Sequence, residues 1–268
     1  MYRELTQRPS TVDPVRVLVT NDDGVEAPGL RVLARAIAAA GHDVVVVAPS
    51  GERSGSGAAI GRLHRGGPVS WTEVEWSDLP AVSVHSLDLP PAAAVYAGCL
   101  GAFGPPPDVV ASGVNPGLNY GHLVLHSGTV GAALTAAVLD VPSVAVSIGW
   151  GDQPQFESAA TLACRALAWA VDAPGTTRAV VNLSVPNLPL TAIRGVREAR
   201  LAPFNERWKH ETRAGELLLE YDGRLHELQP GTDLAWVDEG FAAVTVLTGV
   251  GGDAPASGLA DAVAQVLS

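Results

Sequence analysis

The N-terminal part of the sequence alternates between apolar, β-rich runs and an amphipathic helical pattern. Val15–Thr20 is the first such run, and Val44–Ala48 is a second that ends at Pro49. Between them, apolar residues recur on one face of a helix that Gly41 closes: Leu30, Leu33, Ala34 and Ile37. Because two parallel strands need a long crossover connection, this pattern predicts a strand, a helix and a strand within a parallel sheet.

The same alternation continues to about residue 190. Three further apolar runs have the length of buried strands: Asp108–Ser112, Ser143–Ile148 and Ala179–Val185. Helical patterns lie between the strands, at Ala92–Leu100, Thr129–Leu139 and Glu157–Val171. Such alternation is typical of an open sheet covered by helices on both faces. The predicted fold class is therefore α/β, with a doubly wound, mostly parallel sheet.

The pattern changes beyond about residue 190. Shorter β-like pieces such as Leu217–Tyr221 and Ala242–Leu247 alternate with charged residues and glycines, which favours a C-terminal β-hairpin extension. A chain of 268 residues with 47% hydrophobic content can bury one sizeable core. We therefore expect a single domain over residues 1–268, with a core of about 14–190 plus 254–268 and a β-rich appendage of about 191–253.

The charge balance excludes some classes of partner. The formal net charge is −11, whereas binding to a nucleic-acid polymer or an anionic membrane surface needs clustered lysines and arginines. A small anionic substrate is compatible with this charge, because a bound cation reverses the local field.

Three features favour a protein of the cytoplasm. Cys99 and Cys164 lie far apart in apolar stretches, as buried structural thiols do, and not in the pattern of a disulfide framework. The first 14 residues are polar and carry no apolar core of signal-peptide length. The apolar stretch 129–148 is interrupted by Asp140 and Pro142, which argues against a membrane span.

An acidic pair, Asp22 and Asp23, stands at the carboxyl end of the first predicted strand, within Thr20–Gly24. Open α/β sheets place their ligands at this edge. Adjacent carboxylates repel each other unless a cation or a proton neutralises them, and hard oxygen ligands suit Mg²⁺, Mn²⁺ or Ca²⁺. A solvated turn with an aspartate capping the following helix is the alternative from these residues alone.

Three more polar segments follow strands or precede a helix. The segment 50–57 contains the small residues, glycine and serine, that let backbone amides approach an anion, although a loop without a ligand has the same composition. Residues 112–121 follow a strand, and Asn115 within them could reach a metal ion held by the aspartates. Residues 127–129 precede an apolar helix, whose free amides and positive dipole end suit a phosphate, while ordinary N-capping is the alternative.

Taken together, four segments resemble the signature motifs of the SurE survival-protein nucleotidases, in the same order and spacing. They are TNDDG at 20–24, RSGSG at 53–57, SGVNPGLNYG at 112–121 and SGTVGAA at 127–133. The likeness extends to Gly231–Asp233 and Val237–Phe241. It implies a Rossmann-like core and a hairpin extension used to assemble a homodimer or homotetramer.

The resemblance also implies site residues. One divalent metal ion, Mg²⁺ or Mn²⁺, is expected to have these ligands: Asp22, Asp23, Ser54 and Asn115. The predicted phosphate and substrate contacts lie in or beside the same motifs: Asn21, Gly55, Asn119, His126, Ser127, Gly128 and Thr129. Asp22 and Asp23 are the predicted catalytic residues, and Asp23 is the candidate acid or base for the water and the leaving oxygen.

The activity implied by the resemblance is hydrolysis of nucleoside 5′- or 3′-monophosphates. A phosphatase acting on a different phosphorylated metabolite is one alternative, and a binding protein that keeps the metal site but turns over weakly is another. A dinucleotide-dependent oxidoreductase is disfavoured, because the turn after the first strand lacks the glycine fingerprint for a pyrophosphate.

The chain departs from the family pattern at four places. The family usually has an asparagine where this chain has Ala58 and an aspartate where it has Ala93. Its usual Gly-Asp-Asp is Gly121-His122-Leu123 here, and its usual tyrosine is His126. We expect these changes to alter the wall of the pocket and hence the choice of substrate.

His122 and His126 also have the spacing of a helical zinc pair. Gly121 and Ser127 favour a loop at this position, so a surface or pocket-lining role is favoured over zinc binding. For His126, a proton donor to the leaving group and a histidine packed in place of the aromatic both stay open.

Overall fold

The elements below come from a computed structural model, which describes residues 13–172 and 179–248. The strands are β1 (Arg16–Thr20), β2 (Asp43–Pro49), β3 (Trp71–Glu73), β4 (Ser83–Leu87), β5 (Val109–Pro116), β6 (Ser143–Ile148), β7 (Ala179–Val185), β8 (Val196–Glu198), β9 (Glu206–Arg213), β10 (Glu216–Arg224) and β11 (Ala242–Thr248). The α-helices are α1 (Pro28–Ala39), α2 (Pro91–Cys99), α3 (Gly128–Val138), α4 (Phe156–Asp172) and α5 (Asp233–Asp238). Short 3-10 helices cover 61–65, 121–125 and 190–192.

A nine-stranded sheet forms the centre of the fold, in the order β3-β4-β2-β1-β5-β6-β7-β11-β8. Six strands that are neighbours in this order pair in parallel: β4, β2, β1, β5, β6 and β7. Their order in the sheet is that of a Rossmann-type doubly wound fold, with the chain reversing its direction of travel between β1 and β5. The predicted fold class is therefore confirmed.

Helices cover both faces of the sheet. On one face, α1 and α4 pack through residues such as Leu33, Ile37 and Ala163 against Val17 and Val19. On the other face, the small residues of α2 and α3 pack against Leu18 and its neighbours in β2 and β5. Within the two described stretches of chain, no helix combines the length and the apolar run that crossing a bilayer requires.

One strand differs from its sequence-based prediction. Ala242–Leu247 was expected in the hairpin extension, but β11 pairs antiparallel with β7 and in parallel with β8, and so completes the main sheet. The residues of β11 alternate between buried and exposed toward the end of the strand, as they would in a hairpin. The pairing with β7 joins distant parts of the chain, so the local pattern could not predict it. Residues 249–268, which include the predicted core segment 254–268, lie outside the described residues.

The hairpin extension itself consists of β9 and β10, which form a separate antiparallel two-stranded sheet. Apolar side chains of this hairpin are exposed: Trp208, Leu217, Leu218, Leu219 and Tyr221. Trp208 and Tyr221 lie opposite each other in the strand register, with their ring centroids 5.7 Å apart. The hairpin therefore presents apolar surface that the rest of the described chain does not cover.

The two cysteines are both unpaired and half-buried. Burial raises the pKa of the Cys99 thiol to about 11, and it also raises the pKa of Cys164. Both side chains are therefore neutral thiols at physiological pH, as expected for structural cysteines.

The packing of α1 gives a direct test of the core. Leu33 is fully buried, so Leu33→Ala is expected to lower the free energy of unfolding by about 2–5 kcal/mol in urea titrations. Leu100→Ala is the matched control, because Leu100 is 77% exposed and its truncation is expected to cost less than about 0.5 kcal/mol. Equal losses in the two variants would contradict the packing described here.

Candidate active site

The predicted site lies at the carboxyl edge of the sheet, where the chain reverses between β1 and β5. Thr20 at the end of β1 pairs with Ser112 of β5, so the loops that follow these strands begin side by side. The loop after β2 and the start of α3 meet the same edge, because both donate hydrogen bonds to Asp22. Such a switch point is where doubly wound sheets bind their ligands.

The turn after β1 is held by Asn21. Its side-chain oxygen accepts a hydrogen bond from the Gly24 amide, and its side-chain nitrogen donates to the Gly24 carbonyl, both at 3.2 Å. Gly24 has φ +105°, and a Cβ there would lie 3.0 Å from the Gly51 Cα. The predicted substrate residue Asn21 is therefore fully buried and shapes the turn that presents the two aspartates.

Asp22 reaches across to the start of α3. Its Oδ2 accepts a hydrogen bond from the Gly128 amide at 3.1 Å, and its Oδ1 accepts one from the Thr129 hydroxyl. Only 4% of Asp22 is exposed, and this burial raises the pKa of its carboxyl group, while the hydrogen bonds from Thr129 and the helix amides oppose the increase. The carboxylate therefore lies against the positive end of the α3 dipole.

Asp23 receives no such hydrogen bonds from the start of α3. Its Oδ2 is buried and has no hydrogen-bond partner among the described residues. Burial, followed by the negative charges of Asp22 and Glu52, raises the pKa of Asp23 to about 7. Among the described residues, no basic side chain forms an ion pair with Asp22, Asp23 or Glu52. The Asp23 carboxylate is therefore exposed to the negative charges of the other two, which is the electrostatic setting that a bound cation relieves.

The loop after β2 carries the third predicted metal ligand. The Arg53 amide donates to the Asp22 carbonyl at 2.6 Å and so fixes the loop beside the acidic pair. The Ser54 hydroxyl donates to Glu52 Oε1 at 2.9 Å. Gly55 follows with φ +75° and open space where a side chain would be. Sequence reasoning did not assign Glu52 a role, because a single glutamate in a Gly/Ser loop carries no local signal.

Asn115 and Asn119 lie farther along the same edge, on the side of β6 and β7. The side-chain nitrogen of Asn115 donates to the Gly117 carbonyl at 2.6 Å, which leaves its amide oxygen as the atom that can bind a metal. Asn119 is held by its backbone, since its amide donates to Ser147 and its carbonyl accepts from Asn182. Within the described residues, neither asparagine makes a hydrogen bond to the aspartates.

The start of α3 fits closely against the acidic pair. Ser127 caps the helix by accepting a hydrogen bond from the Val130 amide at 3.1 Å. A Cβ on Gly128 would lie 2.7 Å from Asp22 and from the Ser56 hydroxyl, so only glycine fits there. The Ser56 hydroxyl is buried without a partner in the described part of the chain, and sequence reasoning did not single it out. His126, which directly precedes the N-cap of α3, is exposed.

A buried aspartate from the later part of the chain anchors the segment before α3. Asp233 accepts hydrogen bonds from the Gly121 amide at 2.7 Å and from the Ala202 amide at 2.9 Å. Gly121 also packs against Ala202, whose carbonyl would lie 2.6 Å from a Cβ at this position. The resemblance had included Asp233 without giving it a role, and the structure assigns it this anchoring contact.

The four departures from the family pattern do not share one location. Ala58 is exposed in the loop after β2, and His122 is exposed in the 3-10 helix 121–125. Ala93 was expected in the pocket wall, but it is fully buried in the first turn of α2, where it packs into the core. The expectation for Ala93 was therefore wrong, because the helix that begins at Pro91 turns this residue toward the sheet.

The donor set bears on which ion the site can hold. In residues 13–172 and 179–248, no three His, Cys, Asp or Glu side chains cluster as a metal-binding group. The predicted set would not form such a group, because it combines two carboxylates with a hydroxyl and an amide. All its ligand atoms are oxygens, which suit a hard divalent cation better than zinc.

The fold is that of a doubly wound α/β protein, and a buried aspartate at the switch point of its sheet is hydrogen-bonded to the start of α3. Residues 17–209 match the family described as survival protein SurE. The 5′/3′-nucleotidase SurE of Serratia proteamaculans (strain 568) is 35% identical over 238 residues, or 87% of this chain and 90% of that protein. The 5′/3′-nucleotidase SurE of Escherichia coli O1:K1 / APEC is 36% identical, with the same 87% and 90% covered.

A solved structure agrees with these relatives. The crystal structure of the Sure protein from Aquifex aeolicus has a TM-score of 0.76 with this chain at 25% identity, and the match covers 94% of this chain and 100% of that one. The chain therefore belongs to the SurE family, as its motifs predicted.

The raised pKa of Asp23 predicts how stability depends on pH in the absence of metal. Because the pKa is 3.8 for a free aspartate and about 7 in the fold, the folded state binds the extra proton in this window, and stability falls as the pH rises through it. Asp23→Asn removes the charge, so in chelator it is expected to be more stable than the parent at pH 8 by on the order of 1 kcal/mol, allowing for solvent screening, with a smaller gain at pH 5.

Urea titrations with EDTA at the two pH values measure this difference. Asp152→Asn is the control, because Asp152 is exposed. A gain for Asp23→Asn that is the same at pH 5 and pH 8 would contradict the assigned cause.

Proposed function

We propose that this chain is a metal-dependent phosphatase that removes phosphate from nucleoside 5′- or 3′-monophosphates. The proposal depends on the hydrogen bonds between the Asp22 carboxylate and the start of α3. The next residue, Asp23, has a buried Oδ2 without a hydrogen-bond partner among the described residues. This arrangement brings a cation-binding pair and an anion-binding helix end to one point. The names of the bacterial relatives, 5′/3′-nucleotidase SurE, support the same activity.

The residues present fit a divalent metal ion. Asp23 Oδ2 lacks a partner in the described chain, and the repulsion among Asp22, Asp23 and Glu52 is unrelieved there. We propose that one Mg²⁺ or Mn²⁺ is held by Asp22, Asp23, Ser54 and Asn115. When bound, such an ion polarises the phosphoryl oxygens and acidifies a water molecule.

The protein's own groups have separable roles in this proposal. The Gly128 amide and the Thr129 hydroxyl fix the orientation of Asp22, since both donate to its carboxylate. The Ser127 hydroxyl and the dipole of α3 then provide a favourable site for phosphoryl oxygens. Gly55 leaves open space for the substrate to approach, and the exposed His126 lies at the side of the site.

Proton transfer is assigned to Asp23. In hydrolysis, a water oxygen forms a bond to phosphorus, the ester P–O bond breaks, and the water proton passes to the leaving alcohol oxygen. Asp23 Oδ2 is a buried carboxyl oxygen without a hydrogen-bond partner among the described residues. In this proposal one oxygen of the Asp23 carboxylate binds the metal ion, and the other accepts and returns this proton.

We also propose that the β9–β10 hairpin mediates assembly into a homodimer or homotetramer. Its exposed apolar side chains include Trp208, Leu218 and Tyr221, which are 54%, 55% and 51% exposed. Apolar surface of this kind outside a core is typical of a contact with another protein surface.

A second candidate substrate class is a phosphorylated metabolite without a nucleobase. Two departures from the family pattern, Ala58 and His126, favour it, because both are exposed. They also lie close together, since the amide of Gly57, which precedes Ala58, donates to the His126 carbonyl at 3.1 Å.

A panel of phosphate esters with Mg²⁺ or Mn²⁺ tests the proposed activity. We expect phosphate release to be fastest with nucleoside monophosphates, slower with sugar and small-molecule phosphates, and abolished by EDTA. A preference for sugar phosphates would favour the second candidate. Metal or nucleotide binding without phosphate release would contradict hydrolysis altogether.

Asp23→Ala tests the catalytic assignment. Loss of the proton-handling carboxylate and of one metal ligand is expected to lower kcat by at least about 100-fold, within the range usual for general acid or base groups. Circular dichroism and thermal unfolding are expected to show an intact fold. Asp152→Ala, at an exposed position, is expected to keep full activity. Full metal-dependent activity in Asp23→Ala would exclude the assigned role.

A further inference from the structure

Trp150 is the most exposed large apolar side chain in the described residues, with 82% of its surface accessible. It lies two residues beyond the end of β6, at the same carboxyl edge of the sheet as the acidic pair. An indole left in water forgoes the free energy gained when a large aromatic surface is buried. Its exposure at this edge therefore indicates a surface available for a ligand.

The backbone around Trp150 is firmly held. The Gly149 amide donates to the Val185 carbonyl at 2.9 Å. Gly151 packs so closely on Asn187 that a Cβ at this position would lie 2.2 Å from the Asn187 side-chain nitrogen. Asn187 in turn accepts a hydrogen bond from the Gln155 amide at 2.8 Å. Trp150 is therefore presented from a fixed position, which lowers the entropic cost of binding a ligand there.

The indole also contacts the loop that carries a predicted metal ligand. Gly117 lies against the six-membered ring of Trp150, since a Cβ at Gly117 would be 2.7 Å from Trp150 Cζ2 and 2.9 Å from Cε2. The Gly117 carbonyl accepts the hydrogen bond from Asn115, and its amide donates to the Ile148 carbonyl at 2.9 Å. Because Gly117 is two residues from Asn115, their Cα atoms are at most roughly 7 Å apart.

We propose that Trp150 is the stacking surface for the nucleobase of the substrate. The inference rests on the proposed function, because it places the base beside Asn115, a ligand of the proposed metal ion, and hence beside the phosphate that this ion would bind. Stacking on an aromatic ring tolerates every base, since each has a π-face, and it is strongest for large rings. Trp150 therefore favours purine nucleotides over pyrimidine nucleotides and over phosphates that lack a base.

The test compares a nucleotide with its base-free counterpart. Trp150→Ala is expected to lower kcat/KM for a purine nucleoside 5′-monophosphate about tenfold, which corresponds to about 1.4 kcal/mol, and mainly through KM. Activity on ribose 5-phosphate is expected to change less than about twofold. Trp150→Phe keeps a smaller aromatic ring and is expected to recover part of the loss.

Trp169→Ala is the matched control. Trp169 is 49% exposed, but it lies near the C-terminal end of α4. Because a crossover helix runs antiparallel to the strands, this is the opposite edge of the sheet. The control is expected to leave both substrates unaffected. The inference would be overturned if Trp150→Ala lowered kcat/KM equally for both substrates, or did not lower it for the nucleotide. A loss of activity that accompanies a changed oligomeric state in light scattering would also overturn it.

Calorimetric binding separates this inference from the proposed function. If the parent chain binds the nucleotide without releasing phosphate, the hydrolytic proposal fails, and the stacking inference is still decided. Weaker nucleotide binding by Trp150→Ala, with ribose 5-phosphate binding unchanged, supports it. Nucleotide affinity equal to that of the parent overturns it.

Discussion

The hydrogen bonding of Asp22 to the start of α3 is the interaction on which the site depends. It joins the end of β1 to a helix more than a hundred positions later in the chain, since Thr129 and Asp22 are 107 residues apart. The amide of Arg53 binds the same residue from the loop after β2. Asp22 thus fixes the relative positions of three segments through its carboxylate and its backbone carbonyl, and the lack of a Cβ at Gly128 makes the approach sterically possible.

This arrangement leaves negative charge without compensation. The helix dipole and the Thr129 hydroxyl serve Asp22, whereas Asp23 faces Asp22 and Glu52 with a buried oxygen that has no partner in the described chain. Such a site lowers the stability of the metal-free fold. The same features make it receptive to a cation, so the proposed activity and the local instability have a common physical cause.

The sequence predicted the parts of the fold that depend on local pattern. Buried strands and crossover helices were found because their periodicities are strong, and the edge that carries Asp22, Asp23 and the start of α3 follows from that order. Non-local contacts were not predictable in this way. The pairing of β11 with β7 and the anchoring of Gly121 by Asp233 join segments that no local pattern links. Glu52 and Ser56 acquire their significance only from what surrounds them.

The metal site proposed for Asp22, Asp23, Ser54 and Asn115 can be tested in a crystal. The most direct measurement is an anomalous difference map from crystals soaked in Mn²⁺. One strong peak is expected, bounded by oxygen atoms of these four side chains. Absence of a peak there at saturating Mn²⁺, or a peak only at His122 and His126, would contradict it.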